Sequence, residues 1–179
     1  RLLQIWMALM ASSMAKEMTL DRIDLKIIDI LQRDATVPVA RIADQVGLSQ
    51  TPCWKRIQKH EEAGVIRARV ALLNPDALGL SLTAFVMVEA LEHTAEWRAG
   101  FLAAVEGLEA VRDVYRLAGN HDFLLRVVVA DMAAFDRFYE ELTSRVRLRS
   151  VNSIFALERV RVSTALPLSG LEAAFENRA

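Results

Sequence analysis

The stretch VGLSQTPCWKRIQKHEEAGVI, residues 46–66, decides how the rest of the chain is read. Gly47 can close a helix in the left-handed conformation that side chains avoid. Leu48 can plug a core, and Ser49 has the side chain of a helix N-cap. A helix over about Gln50 to Ala63 follows, stopped by Gly64, and Pro52 is tolerated there only because it falls in the first turn. Cys53, Ile57, His60 and Glu61 make its inward stripe. Upstream, Leu20, Ile23, Ile27, Ile28 and Leu31 recur at helical spacing, with Asp21 and Asp24 at the positive end of that helix. Between them Pro38 opens a short helix whose apolar side is Val39, Ile42, Ala43 and Val46. Two short helices joined by a glycine turn form the helix-turn-helix pattern.

The outward stripe of the third helix carries the chemistry. Gln50 and Thr51 offer amide and hydroxyl groups to base edges, Trp54 offers a ring to thymine methyls, and Lys55 and Lys59 offer ammonium groups to phosphates. Ser49, Arg56 and Gln58 complete the candidate DNA-binding face. Val65 to Val70 then alternates with period two, so that Arg67 and Arg69 project to one side of a wing or hinge strand. A three-helix bundle with a solvated charged face shows much of this pattern. The glycine turn, the serine, the first-turn proline and the flanking arginines together favour DNA.

Charge is distributed accordingly. Residues 19–74 carry nine Lys/Arg against seven Asp/Glu, and residues 75–179 carry eleven against fifteen. The formal net charge of −1 argues against a uniformly basic, histone-like binder. A single cysteine, Cys53, excludes an intramolecular disulfide and fits a reducing cytoplasm. The apolar run from Leu2 to Met10 imitates a short signal peptide, but a membrane span needs roughly 20 residues. Residues 1–18 are therefore expected to lie outside the fold, with Met14 or Met18 nearer the natural start.

Beyond Asn74-Pro75 the chain repeats one order twice. Leu82 to Ala90 reads as a strand, Glu96 to Glu106 as a helix and Ala110 to Ala118 as a strand. Phe123 to Ala130, Met132 to Val146 and Val151 to Val160 repeat it. A doubled strand-helix-strand unit predicts a ferredoxin-like βαββαβ domain with both helices on one sheet face. The opposite face is left bare, and Phe85, Met87, Val111, Leu125 and Val127 supply apolar surface enough for both. Such a patch calls for a partner, most economically a second copy. The expected fold is thus α+β: a winged helix-turn-helix domain over 19–66, a hinge strand and linker over 67–80, a ferredoxin-like domain over 81–168 and a tail over 169–179.

These segments resemble the Lrp/AsnC family of leucine-responsive and related transcription regulators. The resemblance is carried by LDRIDLKIIDILQRD (20–34), the stretch quoted first, VALLNPDALGL (70–80), LTAFVMVE (82–89), YRLAGNHDFLLRVVVADM (115–132) and FALERVRVSTALPL (155–168). TPCWKR and LTAFV are similar to the subgroup typified by a regulator of cysteine detoxification. The sequence departs from the family pattern at His60, where a core leucine is usual, and at Val146 to Arg149, where a Leu-Pro-Gly turn is common. The resemblance implies a homodimer assembling to a tetramer or octamer. It also implies an amino-acid effector, cysteine or a sulfur relative first, received at subunit contacts by the loop Gly119-Asn120-His121-Asp122, with Ser153 a lesser candidate. On residue types alone that loop reads first as a plain hairpin turn, and only the resemblance raises the effector reading to its level.

No catalytic set is visible. His60, His93 and His121 lack metal-ligand spacing, and no phosphate loop or nucleophile elbow occurs. The expected function is a sequence-specific, amino-acid-responsive DNA-binding regulator without enzymatic activity, metal or cofactor. A sensing module that does not bind DNA is the alternative, and an amino-acid enzyme with this domain as a regulatory part is a more distant one.

Overall fold

A computed structural model describes residues 20–168 and 171. The expectations for residues 1–18 and for most of the 169–179 tail fall outside that range. The chain divides into two compact units, residues 72–161 and the sequence flanking them on either side.

In the first unit, α1 (Arg22–Arg33) begins with a reciprocal cap. Asp21 accepts from the Asp24 amide at 2.8 Å, and Asp24 accepts from the Asp21 amide at 3.0 Å. The short α2 (Val39–Val46) ends on Gly47, which adopts φ 73. A residue with a Cβ would be strained there, which is why the turn needs glycine. The next helix, α3 (Gln50–Glu62), packs Cys53 and Ile57 against Ile27, Leu31, Ile42 and Ala43. Helix boundaries agree with the periodicity reading, and so does the inward stripe for Cys53, Ile57 and His60, whereas Glu61 is only half-buried and pairs with Arg69.

The wing is not formed. Residues 65–74 have no strand pairing, and an extended segment leads to a single 3₁₀ turn, Asp76–Leu78. Period-two alternation needs a ladder partner to become a strand, and this chain provides none there. Residues 162–168, at the end of the stretch expected to form the ferredoxin-like domain, group by contacts with the first unit. The Gln32 side chain explains it: its Nε2 donates to the Leu166 carbonyl (3.1 Å) while its Oε1 accepts from the Leu166 amide (2.8 Å).

The second unit contains β1 (Leu82–Ala90), α4 (Ala95–Glu106), β2 (Val111–Arg116), β3 (Phe123–Val129), α5 (Met132–Arg145) and β4 (Leu148–Phe155). All neighbours pair antiparallel in the order β2-β3-β1-β4, the ferredoxin-like arrangement. Ala84, Val86 and Val88 of β1 meet Leu125 and Val127 of β3 beneath Phe101, Val105, Phe135, Phe138 and Leu142 of the two helices. Trp97, Phe101 and Phe123 stack at one end, with centroids 5.3 and 4.5 Å apart along the chain of rings. The last strand starts at Leu148, earlier than the Val151 expected and ending at Phe155 rather than Val160. The Val146-Arg147 connection is held by Trp97 Nε1 donating to the Arg147 carbonyl at 2.9 Å.

The register sorts the apolar residues between the faces. Leu125 and Val127 belong wholly to the helix-covered face. The bare face is built from Phe85, Met87, Leu124 and Val128, with Tyr115 and Ile154 more than half exposed at its sides. An Arg126–Asp113 ion pair crosses it.

Candidate nucleic-acid interface and effector loop

Because α3 buries every third or fourth residue, the remainder must project outward. Ser49, Gln50, Thr51, Trp54, Lys55 and Lys59 are exposed, and Trp54 keeps half of its surface open to water. Ser49 stands at the N-cap position, yet its side chain makes no capping hydrogen bond. Its hydroxyl is therefore not engaged with the amides at the start of α3. Lys55, Lys59 and Arg67 form no ion pair among the described residues.

Three members of the expected face are engaged elsewhere. Arg56 turns back to α1, where Nη1 lies 2.6 Å from Asp21 and 2.7 Å from Asp24. Arg69 pairs with Glu61 at 2.7 Å, and Gln58 donates to the same carboxylate at 2.9 Å. In this arrangement Arg56 ties α3 to the start of α1. A carboxylate many positions away took it, which no reading of helix faces shows.

Behind the face lies a polar cluster that the sequence reading missed. Asp24, buried, receives Arg56 and His60 together: His60 Nε2 lies 3.0 Å from Asp24 Oδ1, with the imidazole fully enclosed. Since a carboxylate only accepts, Nε2 carries the proton, and Nδ1 is left without a partner. Burial pushes the Asp24 carboxyl up, but the Asp21 amide, Arg56 and His60 outweigh it, and the group is held below its ordinary value. The visible signal was the departure at His60.

Cys53 is fully buried, and burial raises its thiol pKa despite nearby Arg56. A neutral, enclosed thiol is a poor nucleophile. In the native protein it is expected to resist maleimide, reacting only after denaturant is added. Rapid labelling of the folded protein would show that α3 opens.

In the second unit the loop between β2 and β3 is fastened to the end of β1. The Asp122 amide donates to the Val88 carbonyl (2.9 Å), its carbonyl accepts from Leu117 (2.8 Å), and Oδ2 accepts from the Ala90 amide (2.8 Å). Oδ1 lies 3.4 Å from His93 Nδ1. Asp122 thus organises the loop, a role in keeping with a turn residue. Gly119 and Asn120 are exposed, and His121 leans toward Glu89 at 3.6 Å. Gly119 has neither a positive φ nor any atom within 4 Å of where a Cβ would go. Beside Asp122 a recess of about 40 Å³ is flanked by His93, Trp97, Arg98 and Arg116. The two arginines had not been singled out. Ser153 does not join them: it opposes Val86, on the edge strand.

An exposed reading helix on a helix-turn-helix unit, followed by a ferredoxin-like unit, defines a two-domain DNA-binding regulator. The AsnC-type helix-turn-helix domain matches residues 20–59, and the Lrp/AsnC ligand binding domain matches residues 83–166. The chain belongs to the Lrp/AsnC family of transcriptional regulators. It is 45% identical over 149 residues to the glutamate uptake regulatory protein of Zymomonas mobilis, covering 83% of this chain and 91% of that protein. It is 42% identical over 150 residues to the DNA-binding transcriptional activator DecR of Escherichia coli, covering 83% and 99%. Among solved structures, an AsnC family regulator from Agrobacterium tumefaciens superposes with TM-score 0.81 at 47% identity, over 85% of this chain and 99% of that one. A Neisseria meningitidis regulator in complex with L-Met superposes with TM-score 0.80 at 34% identity, over 86% and 99%. No described helix is long and apolar enough to cross a membrane.

Proposed function

We propose that the chain reads a specific DNA sequence through Gln50, Thr51 and Trp54, with Ser49, Lys55, Lys59 and Arg67 on the phosphates, and that an amino acid adjusts this binding. The exposed indole and unpaired cations on α3 carry the first half of the reading. A mobility-shift titration with the chain's own upstream region tests it. Retention of sequence preference after Gln50→Ala and Thr51→Ala would overturn it. Arg69 and Gln58, tied to Glu61, have a secondary place at this face, reached by exchanging one charged partner for another.

The effector reading rests on the second unit. The relative from Neisseria meningitidis was crystallised with L-Met, and DecR is a relative of similar identity. A recess of about 40 Å³ has room for a few waters and not for an amino acid. This favours a pocket completed by another copy, with Gly119, Asn120, His121 and Asp122 at its floor and Ser153 presented from a neighbouring chain. The bare face with Phe85 and Ile154 supports a dimer as the unit from which larger assemblies form, in the cytoplasm where DNA is available. Cysteine and its sulfur relatives are the first effectors to try. A thermal-shift screen against the twenty amino acids should single out one or a few, because a ligand specific for the native state raises the midpoint by mass action. A flat screen, with DNA binding unchanged by any amino acid, would count against amino-acid control.

A further inference from the structure

One flank of the second unit is apolar where a solvated helix should be polar. The outward positions of α4 carry Ala99, Gly100, Leu102 and Ala103, all exposed. A helix that is apolar on every side is normally buried on every side. Only the inner side of α4 is buried, through Phe101 and Val105, while Leu102 keeps 45% of its surface open. Between α4 and the edge strand β2 lies a groove of about 290 Å³, lined by Leu102, Val105, Val111 and Val114, with Glu106 and Arg112 as its charged members. Arg98, one turn before Leu102, and Glu106, one turn after it, form no ion pair among the described residues.

We infer that a second copy of this chain covers this flank, its α4 lying antiparallel on α4 about a two-fold axis at Leu102. Charge selects both the occupant and the register. In a two-fold pair, residues equally spaced before and after the axis face one another. Arg98 stands four positions before Leu102 and Glu106 four after, so each copy's arginine meets the other's glutamate and the match is made twice. An axis one position earlier would set Glu96 against Glu106, and like charges oppose that register. The two Leu102 side chains meet at the centre and cover the apolar surface that water otherwise touches. Both helices lie on one face of the sheet, whereas Phe85 and Ile154 belong to the other. This contact and a sheet-to-sheet dimer therefore do not compete, and used together they join dimers into larger assemblies. The inference rests on neither the DNA reading nor the effector reading.

The test places a cysteine on the axis of the full-length protein, since a residue there meets its own copy. Cys53 is fully buried and does not compete. Under mild oxidation Leu102→Cys is expected to give a covalent dimer on a non-reducing gel, far faster than Met132→Cys, a comparably exposed position at the start of α5. Adding Glu106→Arg to the Leu102→Cys protein should abolish the cross-link, and adding Arg98→Glu to that variant should restore it. Circular dichroism should be the same for all of them. Equal rates at positions 102 and 132 would reduce the cross-link to chance encounter and overturn the contact. A cross-link that survives Glu106→Arg would mean that some other surface covers Leu102, and one that the second charge reversal does not restore would refute the register; either result sinks the inference.

Discussion

Alanine at Lys55, Lys59 and Arg67 together should flatten the salt dependence of DNA binding by about 2.7 in the slope of log affinity against log salt. Each phosphate neutralised releases counterions worth about 0.9 in that slope. The three side chains are exposed and carry no ion pair among the described residues, so none has a competing role in holding the fold. Titrations from about 50 to 200 mM salt on specific and unrelated duplexes would show a loss nearly uniform across sequences. Gln50→Ala or Thr51→Ala should behave differently, costing about 1–3 kcal/mol on the preferred site while leaving the slope and the unrelated duplex unchanged. Arg56→Ala makes the internal contrast. It should lower the melting midpoint and leave the slope intact, since its guanidinium is spent on Asp21 and Asp24. A slope that falls as far with Arg56→Ala as with Lys55→Ala would place Arg56 on the phosphates and contradict the geometry.

That contrast marks where sequence reading stops. The three helices, the glycine turn and the stripe from Gln50 to Lys59 follow from periodicity and the conformational needs of Gly47, both local properties. The doubled strand-helix-strand order gave the topology of the second unit for the same reason. The tie of Arg56 to Asp21 and Asp24 could not be foreseen, because those carboxylates lie far off in sequence at the start of another helix. Arg69 and Gln58 likewise met Glu61 through side-chain reach, which helical spacing alone leaves open. The alternation of Val65 to Val70 signals a strand only where another strand lies alongside. At the loop the residue types were read correctly as turn formers. The role of Asp122 in holding the Ala90 amide depends on β1 passing beside it, a tertiary fact. The clamp of Gln32 on Leu166, 134 residues apart, has no local signature.

Asp24→Ala should be the most damaging single change in the first unit. The carboxylate is buried and satisfies the Asp21 amide, Arg56 and His60 at once. Its removal leaves the enclosed His60 ring without any partner and Arg56 with only the half-exposed Asp21. Breaking a buried pair in this way costs about 3–5 kcal/mol. Arg56 is partly exposed and can turn to water, so a value of about 3 kcal/mol is expected, lowering the midpoint by about 12–24 °C for a unit of this size. His60→Leu should be far milder, because Asp24 keeps Arg56 and the capping amide while an apolar side chain suits the site. Combining Asp24→Ala with His60→Leu should recover part of the loss, which identifies the orphaned imidazole as one source of it. The acid limb gives an independent check. Asp24 titrates below its ordinary value in the folded state, so its stabilisation is present above the unfolded carboxyl's pKa and disappears as pH falls through the lower folded value. Wild type should therefore lose stability below about pH 4 more steeply than Asp24→Ala. Equal acid limbs, or a variant as stable as wild type at neutral pH, would show that the recognition helix is not held by this cluster.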